Sequence, residues 1–309
     1  MLSPAPTAAE VTACIPTFQR AAELAQTIRA LLAGSAVPAT ILVSDGSGDE
    51  ASRAEVERVI ARTPPADLDT RLLPPPPNGL MNGNRNWLVH HVETEFALLL
   101  DDDVDIAPEF VADALERMRR DDALAVVSGT SRLHPYPVWL RHRGFLRPAL
   151  PGEPIAITLA ASLWRTDAFR SLWLDEALAY GAEEGETALR LYARGGMRVA
   201  VSPYPFLDRR AFQTARFAAA ERDSLAERAR CYVAVKRYGA SRRALFAFVL
   251  HELATNLARR RRLLPPSLVP GQWRDVGLYL AGGGRPTWAD LRALPRVAHL
   301  EAGHEAGSA

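Results

Sequence analysis

Short apolar runs alternate with amphipathic stretches along the first two thirds of the chain. Val11–Ile15 is apolar and rich in residues that favour strands, and Ala21–Leu32 then carries apolar residues at helical spacing. The same order recurs in Ala39–Val43 and Glu50–Ala61. Two strand–helix units with their loops at the same end predict a parallel sheet with right-handed crossovers.

The pattern of alternating elements continues to about residue 210. The predicted strands are Thr70–Leu73, Phe96–Leu100, Leu124–Ser128, Ile155–Trp164 and Met197–Val201. The predicted helices are Trp87–Val92, Pro108–Arg119, Asp167–Leu172 and Thr187–Ala193, and Asn78–Asn86 reads as a glycine- and asparagine-rich loop. Arg132–Leu150 is rich in Pro, Arg, His and aromatic residues, which fits a substrate-facing insertion or a plain surface loop.

Beyond Arg210 the composition changes. Gln213–Arg237 and Ser241–Arg262 are rich in Ala and Arg and have a helical period. We therefore predict an α/β domain over residues 8–210, a helical extension over 211–297 and a disordered tail over 298–309. The apolar and then basic segment Leu245–Arg262 fits either a membrane-surface helix or packing on the α/β domain. We favour packing, because Glu252 interrupts the apolar residues.

Composition restricts the function only broadly. The 309 residues are 48% hydrophobic and include 37 Lys and Arg against 36 Asp and Glu, so no charge excess argues for a nucleic-acid partner. The two cysteines lie far apart, which fits a reducing compartment. The sequence shows no signal peptide and no apolar run near the ~20 residues that a transmembrane segment needs, so we expect a cytoplasmic protein.

An acidic cluster follows the most apolar of the predicted strands. Phe96–Leu100 leads directly into Asp101, Asp102 and Asp103, and ligands of parallel sheets bind at the carboxyl ends of the strands. Adjacent carboxylates repel one another unless a cation neutralises them, and hard oxygen donors suit Mg²⁺ or Mn²⁺. The alternative is a solvated acidic turn before a helix, and Asp105 is expected to cap that helix.

Five motifs occur in an order that resembles one enzyme family. They are Ile15–Arg20 (Ile-Pro-Thr-Phe-Gln-Arg), Val43–Ser47 (Val-Ser-Asp-Gly-Ser), Arg85-Asn86, Asp101–Asp103, and Glu183-Glu184 with Leu189-Arg190. Together they resemble the motifs of a family-two glycosyltransferase with the GT-A fold. The resemblance covers about Val11 to Arg210, and it implies an α/β fold with a mostly parallel nucleotide-binding sheet.

The resemblance implies a nucleotide-diphosphate sugar as donor and a divalent cation, Mg²⁺ or Mn²⁺, as cofactor. It assigns donor binding to Pro16, Thr17, Gln19, Arg20, Asp45, Arg85, Asp101 and Asp102. Asp45 would accept the imide N–H of the nucleobase, and Arg85 would pair with phosphate oxygens or else form a structural ion pair with the acidic cluster. Asp101 would approach the ribose or sugar, while Asp102 would point into the sheet or assist as an outer ligand.

The metal ligands implied by the resemblance are Asp103 and Asp101, with the cation bridging the diphosphate. Many relatives carry a histidine after the last sheet strand, and this chain has Asp208 in that region, so Asp208 is a candidate further ligand. In the segment that resembles the family's Asp-Asp-Gly-Ser turn, Ser44 stands where the family has the first aspartate.

The general base is expected in the acidic pair Glu183-Glu184. We assign Glu184, although the family usually has Asp there, and leave Glu183 and Glu186 as alternatives. Acidic residues at a helix start are also favourable with the helix dipole without any catalytic role.

The expected reaction is an inverting single displacement in which an acceptor hydroxyl attacks the anomeric carbon. The acceptor could be a glycan, a lipid-linked molecule or a small molecule. A nucleotidyltransferase is a rival, but it would usually show a basic glycine-rich loop where this chain has Pro16-Thr17-Phe18. A catalytically silent sugar-nucleotide or glycan-binding protein is a second rival, which the retained Asp101, Asp103 and Glu184 argue against.

Overall fold

The computed structural model describes residues 7–76, 80–131, 157–176, 178 and 180–209, together with the single positions 229, 233 and 243. The strands in these ranges are β1 (Thr7–Thr17), β2 (Val37–Asp45), β3 (Asp69–Leu72), β4 (Phe96–Leu100), β5 (Val104–Ile106), β6 (Leu124–Ser131), β7 (Ala161–Arg165) and β8 (Arg198–Asp208). The helices are α1 (Ala21–Leu32), α2 (Glu50–Arg62), α3 (Met81–His90), α4 (Phe110–Arg120), α5 (Thr166–Leu172) and α6 (Glu183–Arg194).

All eight of these strands belong to one mixed sheet in the order β3-β2-β1-β4-β7-β6-β8-β5. The ladders β3–β2, β2–β1, β1–β4 and β6–β8 are parallel, and the other three are antiparallel. β1 lies between β2 and β4, with Thr17 opposite Asp45 and Cys14 opposite Leu99. The loops after β1, β2 and β4 therefore meet at one edge of the sheet.

The central strand β4 divides the hydrophobic core into two layers. Every residue of β4 is buried, and alternate side chains point to opposite faces. Leu98 and Leu100 pack with α1 and α4, whereas Ala97 and Leu99 pack with α3, α5 and α6. Each fully buried leucine stabilises the fold by roughly 1.5–3 kcal/mol, so β4 is a rigid support for the residues at its carboxyl end.

The structure begins α3 earlier than the sequence predicts. Helix α3 starts at Met81, so most of the segment expected to be a loop is helical. Asparagines are poor helix formers, but here they hydrogen-bond to distant carbonyls. The Asn82 amide donates to the carbonyls of Asp175 and Leu178, and the Asn86 amide donates to the carbonyl of Leu174. Long-range bonds therefore stabilise a helix that its own propensity would not predict.

The prediction that Asp105 caps the following helix is wrong. Asp105 lies in β5 and pairs with Leu207 of β8, while Glu109 occupies the N-cap position of α4 without a side-chain cap bond. Asp105 instead forms an ion pair with Arg209, whose Nη1 is 3.1 Å from the Asp105 Oδ1. The short strand β5 exists because β8 provides its pairing partner, about a hundred residues later in the chain.

Several predicted segments lie outside the described residues. These are the insertion Arg132–Leu150, the tail 298–309 and the extension 211–297, apart from Ala229, Val233 and Arg243, which are helical. The domain boundaries and the packing of Leu245–Arg262 therefore stay predictions. The cytoplasmic location stays a prediction as well. Of the helices in the described ranges, none is both long and apolar enough to cross a membrane.

Candidate functional site

The acidic turn, Asp101–Asp103, follows β4 and is held by the loop after β1. The Thr17 hydroxyl donates to Oδ2 of Asp102 at 2.7 Å. Arg20 donates from Nη1 to Oδ1 of Asp102 at 3.2 Å and to Oδ2 of Asp103 at 2.8 Å. Asp102 is buried, whereas Asp101 and Asp103 are partly exposed. The middle carboxylate therefore anchors the turn, and the outer two lie at the edge of the sheet.

The acidic turn concentrates negative charge. Burial raises the pKa of Asp102 to about 7, and the Asp103 carboxylate adds to the shift although Arg20 opposes it. Burial would lower the pKa of Arg20, but its ion pairs with Asp102 and Asp103 outweigh burial and raise it. The carboxylates of the acidic turn repel one another, and Arg20 offsets this repulsion only in part. A cation bound beside them would reduce it further.

Arg85 joins the acidic turn to helix α3. Its buried guanidinium donates from Nη2 to Oδ1 of Asp101 at 2.6 Å. Burial would lower the pKa of Arg85, yet Asp101 and then Glu183 hold it above its usual value. The Arg85 Nε and Nη1 groups have no hydrogen-bond partner among the described residues. Of the two roles predicted for Arg85, the ion pair is present, and the N–H groups of two nitrogens, Nε and Nη1, could donate to a ligand.

The loop after β2 carries a buried carboxylate with one free oxygen. Oδ1 of Asp45 accepts from the backbone N–H of Ser47 at 2.9 Å, which makes a local turn. Within the described part of the chain, Oδ2 of Asp45 and Oδ1 of the neighbouring Asn84 have no partner. The Asn84 amide nitrogen donates to the carbonyl of Ser44 at 3.1 Å, which identifies its free atom as the carbonyl oxygen. Both free atoms are hydrogen-bond acceptors.

The other predicted donor-binding residues lie at the end of β1 and in the loop that follows it. Pro16 pairs with Ser44 in the β1–β2 ladder, and Gln19 adopts a positive φ of 55°. Asparagine, aspartate and glycine tolerate this conformation better than glutamine does, so the turn between β1 and α1 is strained. The strained turn directs Arg20 back towards the acidic turn.

Helix α6 presents three glutamates in its first turn, and they have different partners. Gly181 and Ala182 precede the helix with φ values of 80° and 64°. Glu183 has a buried Oε2 without a partner among the described residues. Glu184 accepts at Oε1 from the backbone N–H of Leu159 at 3.0 Å and also bonds the Thr158 hydroxyl.

The two glutamates that begin α6 are easier to protonate than ordinary carboxylates. Burial raises the pKa of Glu184 to about 7, and the charge of Glu183 adds to the shift, while bonds to Leu159 and Thr158 oppose it. Burial also raises the pKa of Glu183, against the attraction of Arg85. Arg85 donates to Asp101, and its charge opposes the rise in pKa of both glutamates, so the start of α6 lies near the acidic turn.

The predicted Leu189-Arg190 motif fixes the position of α6. Arg190 forms a buried, two-pronged ion pair with Glu186, in which Nε–Oε1 is 2.7 Å and Nη2–Oε2 is 2.8 Å. Arg190 also donates to the carbonyls of Leu172 and Trp173 at the end of α5. Since Glu186 is engaged with Arg190, the arrangement favours Glu183 and Glu184 over Glu186 as the base.

Asp208 lies next to the acidic turn in the backbone pairing. It is opposite Val104 at the β5–β8 end of the sheet. The following residue, Arg209, donates its backbone N–H to the carbonyl of Asp103 at 2.7 Å. The backbone pairing thus brings the candidate third ligand near Asp103, and its side chain lies outside the described part of the structure.

The residues at the acidic turn fit a cation that is shared with a substrate. Among the described residues, no three His, Cys, Asp or Glu side chains form a ready-made metal cage. Mg²⁺ in sites that bind nucleotides commonly takes one or two carboxylates and completes its shell with phosphate oxygens and water. Asp101 and Asp103 supply those hard oxygens in a surplus of negative charge, so the chemistry of the donor set matches Mg²⁺ or Mn²⁺.

Sequence reasoning missed several residues that hold the site. They are Thr27, Thr158, Leu159 and Arg209, each of which bonds the acidic turn or Glu184. Thr27 occupies an inward position of α1 between Leu24 and Ile28, so the only available signal was a polar residue on an apolar face. The others bond through backbone groups or follow no recognisable motif.

Comparisons with solved structures give the same architecture. The mannosyltransferase PcManGT from Pyrobaculum calidifontis, in complex with GDP-Man and Mn²⁺, matches with a TM-score of 0.55 and 15% identity over 98% of this chain and 88% of its own. TarS 1–349 from S. aureus, in complex with UDP-GlcNAc, matches with a TM-score of 0.57 and 15% identity over 96% of this chain and 92% of its own. The predicted α/β fold of the GT-A type is confirmed.

The family comparison covers the strands and loops that form the site. A search of curated proteins finds no match. The model of glycosyl transferase family 2 matches residues 12–168, which include the β1 loop, Asp45, Arg85 and the acidic turn. This match favours sugar transfer over the nucleotidyl transfer considered from the sequence. The chain belongs to glycosyl transferase family 2 and is a glycosyltransferase with a GT-A fold.

Proposed function

We propose that the protein moves a sugar from a nucleotide-diphosphate sugar to an acceptor hydroxyl, with inversion at the anomeric carbon in a single displacement. One observation carries the proposal. The buried guanidinium of Arg85 donates to Asp101 and is influenced by the charge of Glu183, and its Nε and Nη1 have no hydrogen-bond partner among the described residues. Such unpaired donors are costly unless a ligand with acceptor oxygens completes them.

The donor would lie along the edge formed by the β1, β2 and β4 loops. The free Oδ2 of Asp45 suits an N–H of the nucleobase, and the free N–H groups of Arg85 suit diphosphate oxygens. The complexes of PcManGT with GDP-Man and of TarS with UDP-GlcNAc support a nucleotide sugar as the donor class. Pro16, Thr17, Gln19 and Arg20 would border the nucleotide from the β1 side.

Asp103, together with Asp101, would hold the divalent cation, and Asp208 is the candidate third ligand. When bound, the cation neutralises charge that develops on the departing diphosphate. The Mn²⁺ present with PcManGT supports this cofactor class. Arg20 holds Asp102 and Asp103 from the other side, so it limits how far the carboxylates can turn away from the diphosphate.

Glu184 would take the proton of the attacking hydroxyl. Its Oε1 is fixed by the Leu159 N–H, and its pKa of about 7 lets it accept a proton near neutral pH and release it afterwards. Glu183 is the alternative base, because its buried Oε2 has no partner among the described residues. In the assignment we prefer, Glu183 faces Arg85 and the donor, and Glu184 faces the acceptor.

A binding experiment tests the donor class first. Thermal shift and calorimetry with UDP, GDP and dTDP, each with and without Mn²⁺, should identify one nucleoside diphosphate whose affinity requires the cation. The matching sugar nucleotides are then tested for turnover. If no nucleoside diphosphate binds with Mn²⁺ present, the proposed donor class is wrong.

Glutamine variants then test the base. Glu184→Gln is nearly isosteric and should bind the donor with unchanged affinity while turnover falls by ~10²–10⁴-fold, the usual contribution of a positioned base. Glu183→Gln is the matched comparison, with one neighbouring carboxylate removed from the same helix turn. A larger loss of turnover in Glu183→Gln than in Glu184→Gln, at equal donor affinity, would reassign the base to Glu183.

A further inference from the structure

A buried threonine bonds the backbone of the acidic turn from behind. Thr27 lies on α1, is fully buried, and its Oγ1 is 2.8 Å from the carbonyl oxygen of Asp102 and 3.1 Å from that of Val104. A hydroxyl has one proton, so it donates to one of these carbonyls or shares the proton between them. The Thr27 hydroxyl thereby holds the peptide group that precedes Asp103 and the peptide group that follows Val104.

Arg209 completes this arrangement from β8. Its Nη2 donates to Oγ1 of Thr27 at 2.6 Å, and its backbone N–H donates to the carbonyl of Asp103 at 2.7 Å. Nη1 of the same guanidinium bonds Gln26 at 2.8 Å and pairs with Asp105. The carbonyls of Asp102, Asp103 and Val104 are therefore all bonded by Thr27 or Arg209.

These bonds determine where the Asp103 carboxylate points without touching it. If the peptide groups flanking Asp103 rotated, its Cα–Cβ bond would turn and the carboxylate would leave the edge of the sheet. Metal and substrate sites need their ligands held within about 0.5 Å of the working geometry, and this precision comes from groups behind the ligands. Arg20 bonds the carboxylate itself, so it restrains the side chain and leaves the backbone to Thr27 and Arg209.

We infer that Thr27 is a positioning residue for the cation site, and that Arg209 orients its hydroxyl. The inference rests on the proposed role of Asp103 as a cation ligand. Thr27 belongs to none of the five motifs, and its function would be exerted through the backbone of the acidic turn alone.

The test compares two threonines that each bond a main-chain carbonyl. Thr27→Val keeps the shape of the side chain and removes its hydrogen bonds. The control is Thr166→Val, because Thr166 is also buried and its hydroxyl donates to the carbonyl of Thr94 at 3.0 Å, away from the acidic turn. Mn²⁺ binding is titrated by electron paramagnetic resonance with saturating UDP or GDP, whichever wild type binds, and melting temperatures are recorded in parallel.

We expect Thr27→Val to weaken Mn²⁺ binding about tenfold, the lower end of the effect usual for residues that orient metal ligands. Thr27→Ser keeps the hydroxyl and should bind Mn²⁺ within about twofold of wild type. Thr166→Val should lower the melting temperature and leave Mn²⁺ affinity unchanged. Equal Mn²⁺ affinity in Thr27→Val and wild type would overturn the inference.

Arg209→Gln provides a second variant if Thr27→Val does not fold. Removing a positive charge near the carboxylates would by itself strengthen cation binding. Loss of the bond that orients Thr27 should instead weaken it, and a net gain in Mn²⁺ affinity would contradict the positioning role. Nucleotide binding by wild type that is insensitive to Mn²⁺ is a different outcome, because it refutes the proposed cation itself and not only the part assigned to Thr27.

Discussion

The buried ion pair between Glu186 and Arg190 makes a quantitative prediction about stability. The two side chains are only 3% and 5% exposed, and they meet through two short hydrogen bonds. Arg190→Met keeps much of the apolar stem but removes the positive charge that faces the buried Glu186 carboxylate. Breaking a buried pair by removing one member typically costs 3–5 kcal/mol, so we expect a loss of about 4 kcal/mol.

That loss is large beside the total stability of a domain. Folded domains are usually stable by about 5–15 kcal/mol, so the variant would lose a quarter or more of it. The melting temperature should fall by roughly 10 °C, at about 2–4 °C per kcal/mol for a domain of some two hundred residues. Bonds from Arg190 to the carbonyls of Leu172 and Trp173 are lost as well, so α6 should also loosen from α5.

Two further variants separate the charge effect from packing. Glu186→Leu combined with Arg190→Met removes both charges of this pair and should recover most of the lost stability. Arg71→Met is the surface control: Arg71 pairs with Asp69, but the two side chains are 53% and 40% exposed, so its loss should cost less than about 1 kcal/mol.

The assay is unfolding in urea, followed by circular dichroism and tryptophan fluorescence, with the melting temperature as a second measurement. A decrease in the free energy of unfolding below about 1 kcal/mol in Arg190→Met would refute the reasoning. It would mean that the Glu186 carboxylate becomes hydrated or pairs with another group at little cost. A double variant that is less stable than Arg190→Met would refute it as well. At temperatures where Arg190→Met is folded, we also expect lower turnover, because α6 carries Glu183 and Glu184.

Three other predictions concern the site and the helix that borders it. Turnover should rise with pH through about 7, because Glu184 is protonated and inactive as a base below its pKa, and the profile of residual activity in Glu184→Gln should lack that rise. Asp103→Asn should abolish the Mn²⁺ dependence of nucleotide affinity in calorimetry without lowering the melting temperature, since the carboxylate is at the edge of the sheet. Ala182→Gly should raise the free energy of unfolding by up to about 1 kcal/mol, because the left-handed conformation at φ 64° strains alanine more than glycine, and a clear decrease would contradict that account.

The elements that the sequence predicts best are those whose signal is local. Helix α1 has the predicted limits, Ala21 and Leu32, and β4 has the predicted limits, Phe96 and Leu100. In α1 the apolar residues recur at helical spacing and form one buried face. In β4 they are contiguous, and both faces of the strand are buried. The loops after β1, β2 and β4 also meet as the sequence predicts, because the parallel register of these strands brings their carboxyl ends to one edge.

The predictions that failed depended on partners far along the chain. Helix α3 starts early because Asn82 and Asn86 bond carbonyls in residues 174–178, about ninety positions away. Asp105 is in a strand because β8 pairs with it across a similar separation. Helix propensity and capping preferences are properties of neighbours in sequence, so neither could include these bonds.

The same limit explains why the sequence points to candidate ligands but not to the residues that support them. Asp101, Asp103 and Glu184 stand out in the sequence because cation binding and proton transfer require carboxylates. Thr27 acts through main-chain carbonyls that lie 75 and 77 positions later, and any well-placed donor could bond a carbonyl. Its residue type therefore carries no signature of its role, and a threonine on the apolar face of α1 is indistinguishable by sequence from one that merely fills space. The structure distinguishes these two kinds of threonine, because it shows whether the hydroxyl lies against the acidic turn. The comparison of Thr27→Val with Thr166→Val measures the effect of that position on Mn²⁺ binding.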